Sequence, residues 1–429
     1  MTTLLERAKG SPLDVVIDHG APSNRITPLL PHTRQIRHLA FSQSYWTEVS
    51  SHSRVISGPL PLLRTLTIRI NESDGLYGQP NKLDALLFSG AINLEGFVFE
   101  PGSTGSLNNF VFPNLSTLKL STPPLTDFKA SDLFDFLNAS PKLRTVEVKI
   151  RGDTHPETAP RELVVLPNVE TFSLNVYGTR SQVYESAIHI SCPRATYTSL
   201  EQDIFNKLLA YGTEVFPNFN SCQAIFHQYS TSPVEEVTLE VKDSGRIMTL
   251  MEYSLTFKSS NAAVIRLGFN LGKSEEELDF SHEDLDLLVF TRACQVIQFH
   301  PQLSHIRRLH IKDCSESFSY EAAMAMAGVL QEFLGSLGPL DELAIHGFDP
   351  HILLPESGYS VFPPVKELTI AELAMFDEEL YADAIVELAK SQHELKKPFE
   401  RVKIHAREIP ATMEERLGPW VSEADCRQL

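Results

Sequence analysis

The stretch from Gly268 to Ser274 is the part of the sequence that comes nearest to a phosphate-binding loop. It reads Gly-Phe-Asn-Leu-Gly-Lys-Ser and follows an apolar segment, as such a loop does. The phosphate-cradling loop, however, has one more residue between its glycines than separates Gly268 from Gly272. The next residues, Glu275 to Glu277, would repel phosphate. We therefore predict that the chain binds no nucleotide.

Two cysteines and three histidines near the middle of the chain have side chains that can bind metal ions. Their spacings match no compact zinc pattern, in which ligands come in closely spaced pairs. Strand alternation places His310 on the outward face of its strand. Cys314 takes the place of a polar ladder residue at the end of the same strand. We predict ordinary roles in the fold, with no metal site and no cofactor. The five residues are Cys294, His300, His305, His310 and Cys314.

Acidic residues cluster at Glu275–Glu277 and again at Glu283, Asp284 and Asp286. Paired carboxylates can serve as general acid and base. Charge runs near a helix start, however, more often form a solvated face that the helix dipole favours. The sequence contains neither Gly-x-Ser-x-Gly nor His-Glu-x-x-His. We predict that the chain is not an enzyme, and an enzyme without a recognisable motif is kept as an alternative.

One apolar phrase recurs along nearly the whole chain. The phrase consists of three apolar residues, with two positions of any type between the first and the second and one between the second and the third. A Pro often stands just ahead of it. Side chains alternate faces along a strand, so the last two apolar residues point the same way. Pro suits the turn that leads into a strand. Copies begin at residues 36, 63, 94, 115, 143, 169, 234, 264, 306, 340, 365 and 399, with a degraded copy at 195 and a terminal strand near 13–17.

Segments with helical period separate many of these phrases, at 132–137, 282–299, 321–334 and 378–390. Strands that alternate with helices favour parallel pairing with right-handed crossovers. We predict an α/β fold, namely an irregular leucine-rich-repeat solenoid with parallel strands on the concave face and helices or loops on the convex face. We expect a single array over residues 1–408 and a C-terminal cap or tail at 409–429.

The positions between the buried residues of each strand are mostly polar. A soluble array needs a polar face in any case, but a concave sheet of this kind can also recognise a partner. Charge is uneven along it, acidic in the middle and basic later, and a partner with complementary stripes would be steered by this arrangement. We predict that the partner-binding residues are Lys119, Glu147, Glu236, Glu240, Arg308, His310, Lys312, Arg401 and Lys403.

Composition narrows the partners and the compartment. The formal net charge of −18 argues against binding to nucleic acid or to an anionic membrane surface. The 5 cysteines are widely spaced, and no Cys-x-x-Cys occurs, which fits a reducing compartment. The first residues contain no apolar core typical of a signal peptide, and no run is long enough for a transmembrane helix. We expect a cytoplasmic or nuclear protein with an unidentified protein partner.

The opening from Leu4 to Ile17 resembles the stretch that follows the F-box in a large family of F-box proteins of mushroom-forming fungi. The phrases Phe112–Leu120 and Ser140–Val146 look like the repeat region of that family, and the likeness covers nearly the whole chain. In such proteins the F-box, a small helical module, docks on a ubiquitin-ligase scaffold, and the repeats hold a substrate.

The F-box itself is expected to be missing from this chain. No Leu-Pro-x-Glu start precedes Leu4, and Leu354-Pro355-Glu356 is followed by a turn sequence rather than a helix. The resemblance therefore implies a protein-binding repeat module, the substrate-recognition part of an F-box-type ubiquitin-ligase adaptor, provided that an F-box is supplied elsewhere. The alternative is a structural or scaffolding repeat protein with no link to a ligase.

Overall fold

The structure of the chain is a computed structural model. The chain divides into two compact units, residues 1–203 and residues 204–429. Each is a mixed α/β unit, and the single array expected over residues 1–408 stays a prediction. The described residues are 5, 8, 10–18, 26–43, 60–70, 91–100, 111–121, 130–151, 163–177, 187–205, 219–229, 232–243, 249–272, 282–298, 305–314, 320–348, 350–354, 362–371 and 378–428.

The first unit is built on parallel strands. They are β1 (Leu13–Ile17), β2 (Ile36–Gln43), β3 (Thr65–Ile70), β4 (Gly96–Glu100), β5 (Thr117–Ser121), β6 (Thr145–Arg151), β7 (Val164–Val165), β8 (Thr171–Tyr177), β9 (Ile190–Ser191) and β10 (Tyr197–Phe205). Strands follow one another across the sheet in the order β1-β2-β3-β4-β5-β6-β8-β10, and β7 pairs separately with β9. The described residues of this unit also form α1 (Ala130–Asn138) and a 3₁₀ helix (Thr27–Gln35).

The second unit contains β11 (Val234–Asp243), β12 (Thr249–Ser259), β13 (Val264–Gly272), β14 (Arg308–Cys314), β15 (Leu340–His346), β16 (Val365–Ala371), β17 (Arg401–Ala406) and β18 (Glu423–Gln428). They lie in the order β13-β12-β11-β14-β15-β16-β17-β18. Its helices are α2 (Phe219–Tyr229), α3 (His282–Gln298), α4 (Tyr320–Ser336), α5 (Glu378–Glu394), α6 (Met413–Leu417) and a 3₁₀ turn (Pro350–Leu353).

The strands predicted from the recurrent phrase are confirmed, and so are the four predicted helices, which are α1, α3, α4 and α5. The predicted terminal strand is β1, which pairs parallel with β2. Residues 409–429, expected as a cap or tail, contain α6 and β18, and β18 pairs parallel with β17.

The expectation of parallel strands is wrong for two pairs, β11 with β12 and β12 with β13, which are antiparallel, whereas β11 pairs parallel with β14. A tight turn joins β12 to β13, in which the amide of Ala262 donates to the carbonyl of Ser259 at 2.9 Å. Ala262 adopts a left-handed φ of 63°, as a short hairpin loop requires. So short a connection can only join antiparallel strands, because a parallel pair needs a long crossover.

A four-residue turn leads into six first-unit strands, β3 to β6, β8 and β10, and five of these turns have Pro at the second position. At the start of β5, the amide of Leu115 donates to the carbonyl of Phe112 at 3.0 Å, and Pro113 takes the second position of this turn. Its fixed φ suits that position. The same bond recurs at the turns of the neighbouring strands, as Leu63 to Leu60, Leu94 to Ala91, Leu143 to Ser140, Val169 to Leu166 and Ala195 to Cys192. The first and last residues of each turn are buried, including Cys192 and Ser140.

Asparagine side chains tie three of these turns to the preceding one. The Nδ2 atom of Asn93 donates to the carbonyl of Pro61 at 2.8 Å, and that of Asn114 donates to the carbonyl of Ile92 at 2.7 Å. Asn168 repeats the contact on the carbonyl of Pro141 at 3.1 Å. The ladder position that the sequence analysis assigns to Cys314 lies at the opposite end of a strand, where Cys314 ends β14.

The buried side chains of neighbouring strands lie in register. Leu66, Phe97, Leu118 and Val146 occupy equivalent positions in β3 to β6, and all four are fully buried. Helices supply the facing layer of the core, since the ring of Phe136 in α1 lies 6.2 Å from that of Phe97. Burying an apolar side chain of this size contributes about 1.5–3 kcal/mol. These rows therefore make up much of the core.

Replacing Leu118 tests this assignment of faces. Leu118→Ala should lower the free energy of unfolding by about 2–5 kcal/mol, because it leaves a cavity in a buried row. Lys119→Ala, the adjacent outward position, serves as the control and should cost less than about 1 kcal/mol. Chemical denaturation of the two variants measures both values, and equal effects would contradict the alternation.

Candidate binding surface

The outward face of the first unit carries polar rows that cross several strands. We define it by the residues that alternate with the buried ones in β1 to β10. Lys119, Glu147, Ser173 and Ser199 lie side by side in β5, β6, β8 and β10. A neighbouring row contains threonines at the start of four strands, Thr65, Thr117, Thr145 and Thr171. Such rows are fixed by backbone pairing and present an ordered surface.

Glu147 is the centre of a charge cluster on this face. Its Oε2 atom lies 2.8 Å from Lys119 Nζ, and its Oε1 atom lies 3.2 Å from Lys149 Nζ. The hydrogen bond from Lys119 lowers the pKa of Glu147 below its ordinary range, partial burial opposes this, and Lys149 adds to the lowering. Two of the predicted partner-binding residues, Lys119 and Glu147, therefore bind each other.

The outward face of the second unit is a longer lattice of ion pairs, defined by the residues alternating with the buried ones in β11 to β18. Glu236 Oε2 lies 3.0 Å from Arg308 Nε and 3.5 Å from Lys258 Nζ. Arg401 lies 3.3 Å from Glu367 and 2.6 Å from Glu423. Opposite charges thus lie side by side in several pairs of neighbouring strands.

The remaining predicted residues occupy the same lattice. Glu240 contacts Lys242 at 2.9 Å, His310 Nε2 lies 3.5 Å from Glu342, and Lys403 pairs with Glu367. Lys312 lies between Glu240 and His346 in the register of β11, β14 and β15.

Sequence reasoning missed the carboxylates that interleave the basic residues. Glu342 and Glu367 lie in β15 and β16, beside Arg308 and Arg401 respectively. The alternation of apolar and polar residues in β15 and β16 was a detectable signal that both glutamates point outward. Their role as counter-charges depends on which strands are neighbours, and this follows from the fold.

The residues considered for phosphate binding occupy part of a strand. Gly268 and Gly272 both lie in β13, in extended backbone paired with β12. Lys273, Ser274 and Glu275–Glu277 lie outside the described residues. Glu283, Asp284 and Asp286, from the second acidic cluster, lie in the first turns of α3.

The residues considered for metal binding are held in separate places. Cys294 is buried in α3, and burial raises the pKa of its thiol. His305 is exposed ahead of β14, and His310 lies within that strand. Among the residues that the structure describes, no group of three or more His, Cys, Asp or Glu is placed to hold a metal ion. His300 lies outside them.

A second surface lies at the edge of the first unit where the strands begin. Charged residues stand here just ahead of β3 to β8, and Arg64 pairs with Glu95 while Arg144 lies 3.4 Å from Glu170. Ser116 separates the two pairs. A groove of about 520 Å³ opens at this small side chain, and its lining residues are Arg64, Asn93, Glu95, Asn114, Ser116, Lys142, Arg144 and Asn168. We call it the turn groove.

The corresponding edge of the second unit is arranged differently. Asp341 lies 3.6 Å from Arg307 and 2.6 Å from Lys366, so charges in three consecutive strands bind one another. The hydrogen bond from Lys366 lowers the pKa of Asp341, and Arg307 contributes to the same shift. The first unit differs because Ser116 places a small side chain between two ion pairs.

Comparison with models of known protein families and with curated proteins finds no match for this chain. Over the described residues, no helix combines the length and apolar character needed to cross a membrane.

The pKa of Glu147 provides a test of the outward charge cluster. Its carboxyl should titrate below the ordinary value of about 4.3, because Lys119 stabilises the charged form. Since the folded-state pKa is lowered, the stabilisation is present above the unfolded-state value and disappears as pH falls through the folded-state one. Lys119→Ala should raise the titration midpoint measured by carboxyl NMR, whereas Lys142→Ala should leave it in place.

Cys426 in β18 should react slowly for a thiol that is only half-buried. Burial raises its pKa to about 11, helped by the nearby carboxylates of Glu414 and Asp425. Near pH 8, its alkylation by iodoacetamide should be on the order of a hundredfold slower in the folded chain than in the unfolded chain, as followed by peptide mass spectrometry. Glu414→Gln should accelerate the reaction and Glu415→Gln should not, while equal rates in the folded and unfolded chains would contradict the assignment.

Proposed function

We propose that this chain is a protein-binding repeat module whose binding surface is the outward face of its strands. The observation that carries the proposal is the register of polar side chains on that face, opposite buried apolar rows, in both units. Eight strands spaced about 4.8 Å apart span about 34 Å, which is comparable to a standard protein interface.

The repeating turn and strand support a finer assignment of the fold. Six first-unit strands (β3 to β6, β8 and β10) begin with the same proline or asparagine turn, and the buried residues of each stack on those of the next strand. One such repeat has only its neighbours to bury its apolar face against, which is the principle of a solenoid. We propose that the repeats of each unit are irregular leucine-rich repeats.

A partner can replace the ion pairs of the outward face with ion pairs to its own charged residues. An exposed pair such as Lys119–Glu147 contributes at most about 1 kcal/mol, so a partner's charges can replace it at little cost. The ion pairs of Glu236 with Arg308 and of Glu367 with Arg401 would accept a partner surface that carries complementary charges. Such complementarity gives specificity more than affinity.

Charge reversal on this face is the experiment that tests the proposal. The full chain is used to capture a partner by affinity purification, and the affinity for that partner is then measured. Lys312→Glu combined with Lys403→Glu should weaken binding about tenfold, because like charges would meet across the interface. Lys390→Glu on α5, an exposed lysine away from the strands, is the control. Unchanged affinity in the double variant would exclude this face.

The resemblance to fungal F-box proteins favours substrate recognition for ubiquitination over a purely structural role. A co-purification experiment with the adaptor of the cullin scaffold separates the two. The chain fused to an F-box should bind the adaptor and the captured partner together and promote ubiquitination of that partner. A fusion that binds the adaptor but leaves the partner unmodified would favour the scaffolding alternative.

A further inference from the structure

The turn groove differs from the outward face because its charges are separated by an open space. Ser116 occupies the position that is charged in both neighbouring strands, where Glu95 and Arg144 stand. Its hydroxyl donates to the carbonyl of Glu95 at 2.9 Å, so the small side chain is held at the floor. The space above it is bordered by Glu95 on one side and by Lys142 and Arg144 on the other.

Lys142 makes the second border strongly basic. Its Nζ atom donates to Asn114 Oδ1 at 2.6 Å, a neutral partner, and no carboxylate of the described residues forms an ion pair with it. Arg144 next to it is largely exposed and only loosely paired with Glu170. In a chain with a net charge of −18, two cations standing side by side at this border favour the approach of an anionic group.

The neutral residues of the groove favour a polypeptide over other anions. Asn93 and Asn168 use Nδ2 to hold the preceding turns, which leaves Oδ1 of each to accept hydrogen bonds. Together with Glu95 they offer acceptors to the backbone N–H groups of an extended chain. A phosphodiester backbone has no N–H groups to donate to these acceptors.

Exposed apolar side chains lie in or just ahead of three consecutive turns at this edge of the unit. They are Leu62 (44% exposed), Ile92 (59%) and Val111 (62%). None of them lines the groove, and single apolar residues on a surface are ordinary, but their succession along this edge offers apolar contacts to a segment that extends beyond the groove.

We propose that the turn groove binds an extended acidic segment of a protein, with a carboxylate of that segment held by Lys142 and Arg144. The five strand starts from β3 to β8 span about 19 Å, which accommodates about six extended residues. The inference rests on the proposed protein-binding function but places this contact on a different surface from the outward face.

An array of peptides of about six residues tests the proposal. Each peptide carries two or more Glu or Asp side chains, and a matched array carries Gln and Asn at those positions. The full chain should bind acidic members, more weakly as salt rises, and should ignore their amide counterparts. Lys142→Glu should weaken the best peptide at least about tenfold, and Ser116→Tyr should do the same by filling the groove without changing its charge.

Arg292→Glu, an exposed site on α3 with the same charge change, is the control and should bind like the unmodified chain. Circular dichroism and thermal unfolding establish that each variant is folded. No binding by any acidic peptide, equal losses in Lys142→Glu and Arg292→Glu, or equal binding of a single-stranded oligonucleotide would overturn the proposal. Lys312→Glu with Lys403→Glu should leave peptide binding intact, so a failure of the groove and a failure of the outward face are distinguishable.

Discussion

Six strand starts of the first unit, those of β3 to β6, β8 and β10, repeat one backbone hydrogen bond, from the amide just after the turn to the carbonyl of the equivalent residue near the start of the preceding strand. Glu95 donates in this way to Arg64, Ser116 to Glu95, Arg144 to Ser116 and Glu170 to Arg144, each at 2.8 Å. The second unit repeats it from Asp341 to Arg307 and from Glu400 to Lys366. A slip of one residue would move every buried side chain to the outward face, so these bonds determine both faces at once.

Fixed register explains why the two surfaces differ in electrostatics. On the outward face it places opposite charges side by side, so Glu236 and Glu367 neutralise the basic residues of the adjacent strands. At the strand starts of the first unit it leaves Ser116 between two ion pairs, where no charge fills the space. Ion pairing therefore offsets charges on the outward face, whereas Lys142 beside the gap bonds to a neutral partner, Asn114.

Much of the fold could be predicted from the sequence because alternation within a strand is a local property. Leu118 beside Lys119 is recognisable in a window of a few residues, and both were assigned to the correct sides. The hairpin of β12 and β13 was missed because a third alternating segment between two copies of the phrase was not identified as a strand. Its signal was the alternation from Tyr253 to Phe257 followed by a short polar turn.

The candidate sites were less accessible from sequence because they depend on neighbours across the sheet. Glu342 and Glu367 become counter-charges only when β15 and β16 lie beside β14 and β17. The asparagine that precedes the first apolar residue, as at Asn114, was a visible recurrence, although its bond to the preceding turn requires the register. The gap at Ser116 exists because the charged residues on its two sides form ion pairs away from it, Arg64 with Glu95 and Arg144 with Glu170.

Contact between side chains in neighbouring strands is the measurement that tests the register most directly. Methyl groups of Leu118 and Val146, and of Leu309 and Leu343, are in-register partners in buried rows. Nuclear Overhauser effects between selectively labelled methyl groups should connect both pairs in the folded chain. Absence of both effects in a folded sample, or solvent-exposed behaviour of these methyl groups, would contradict the arrangement on which both surfaces rest.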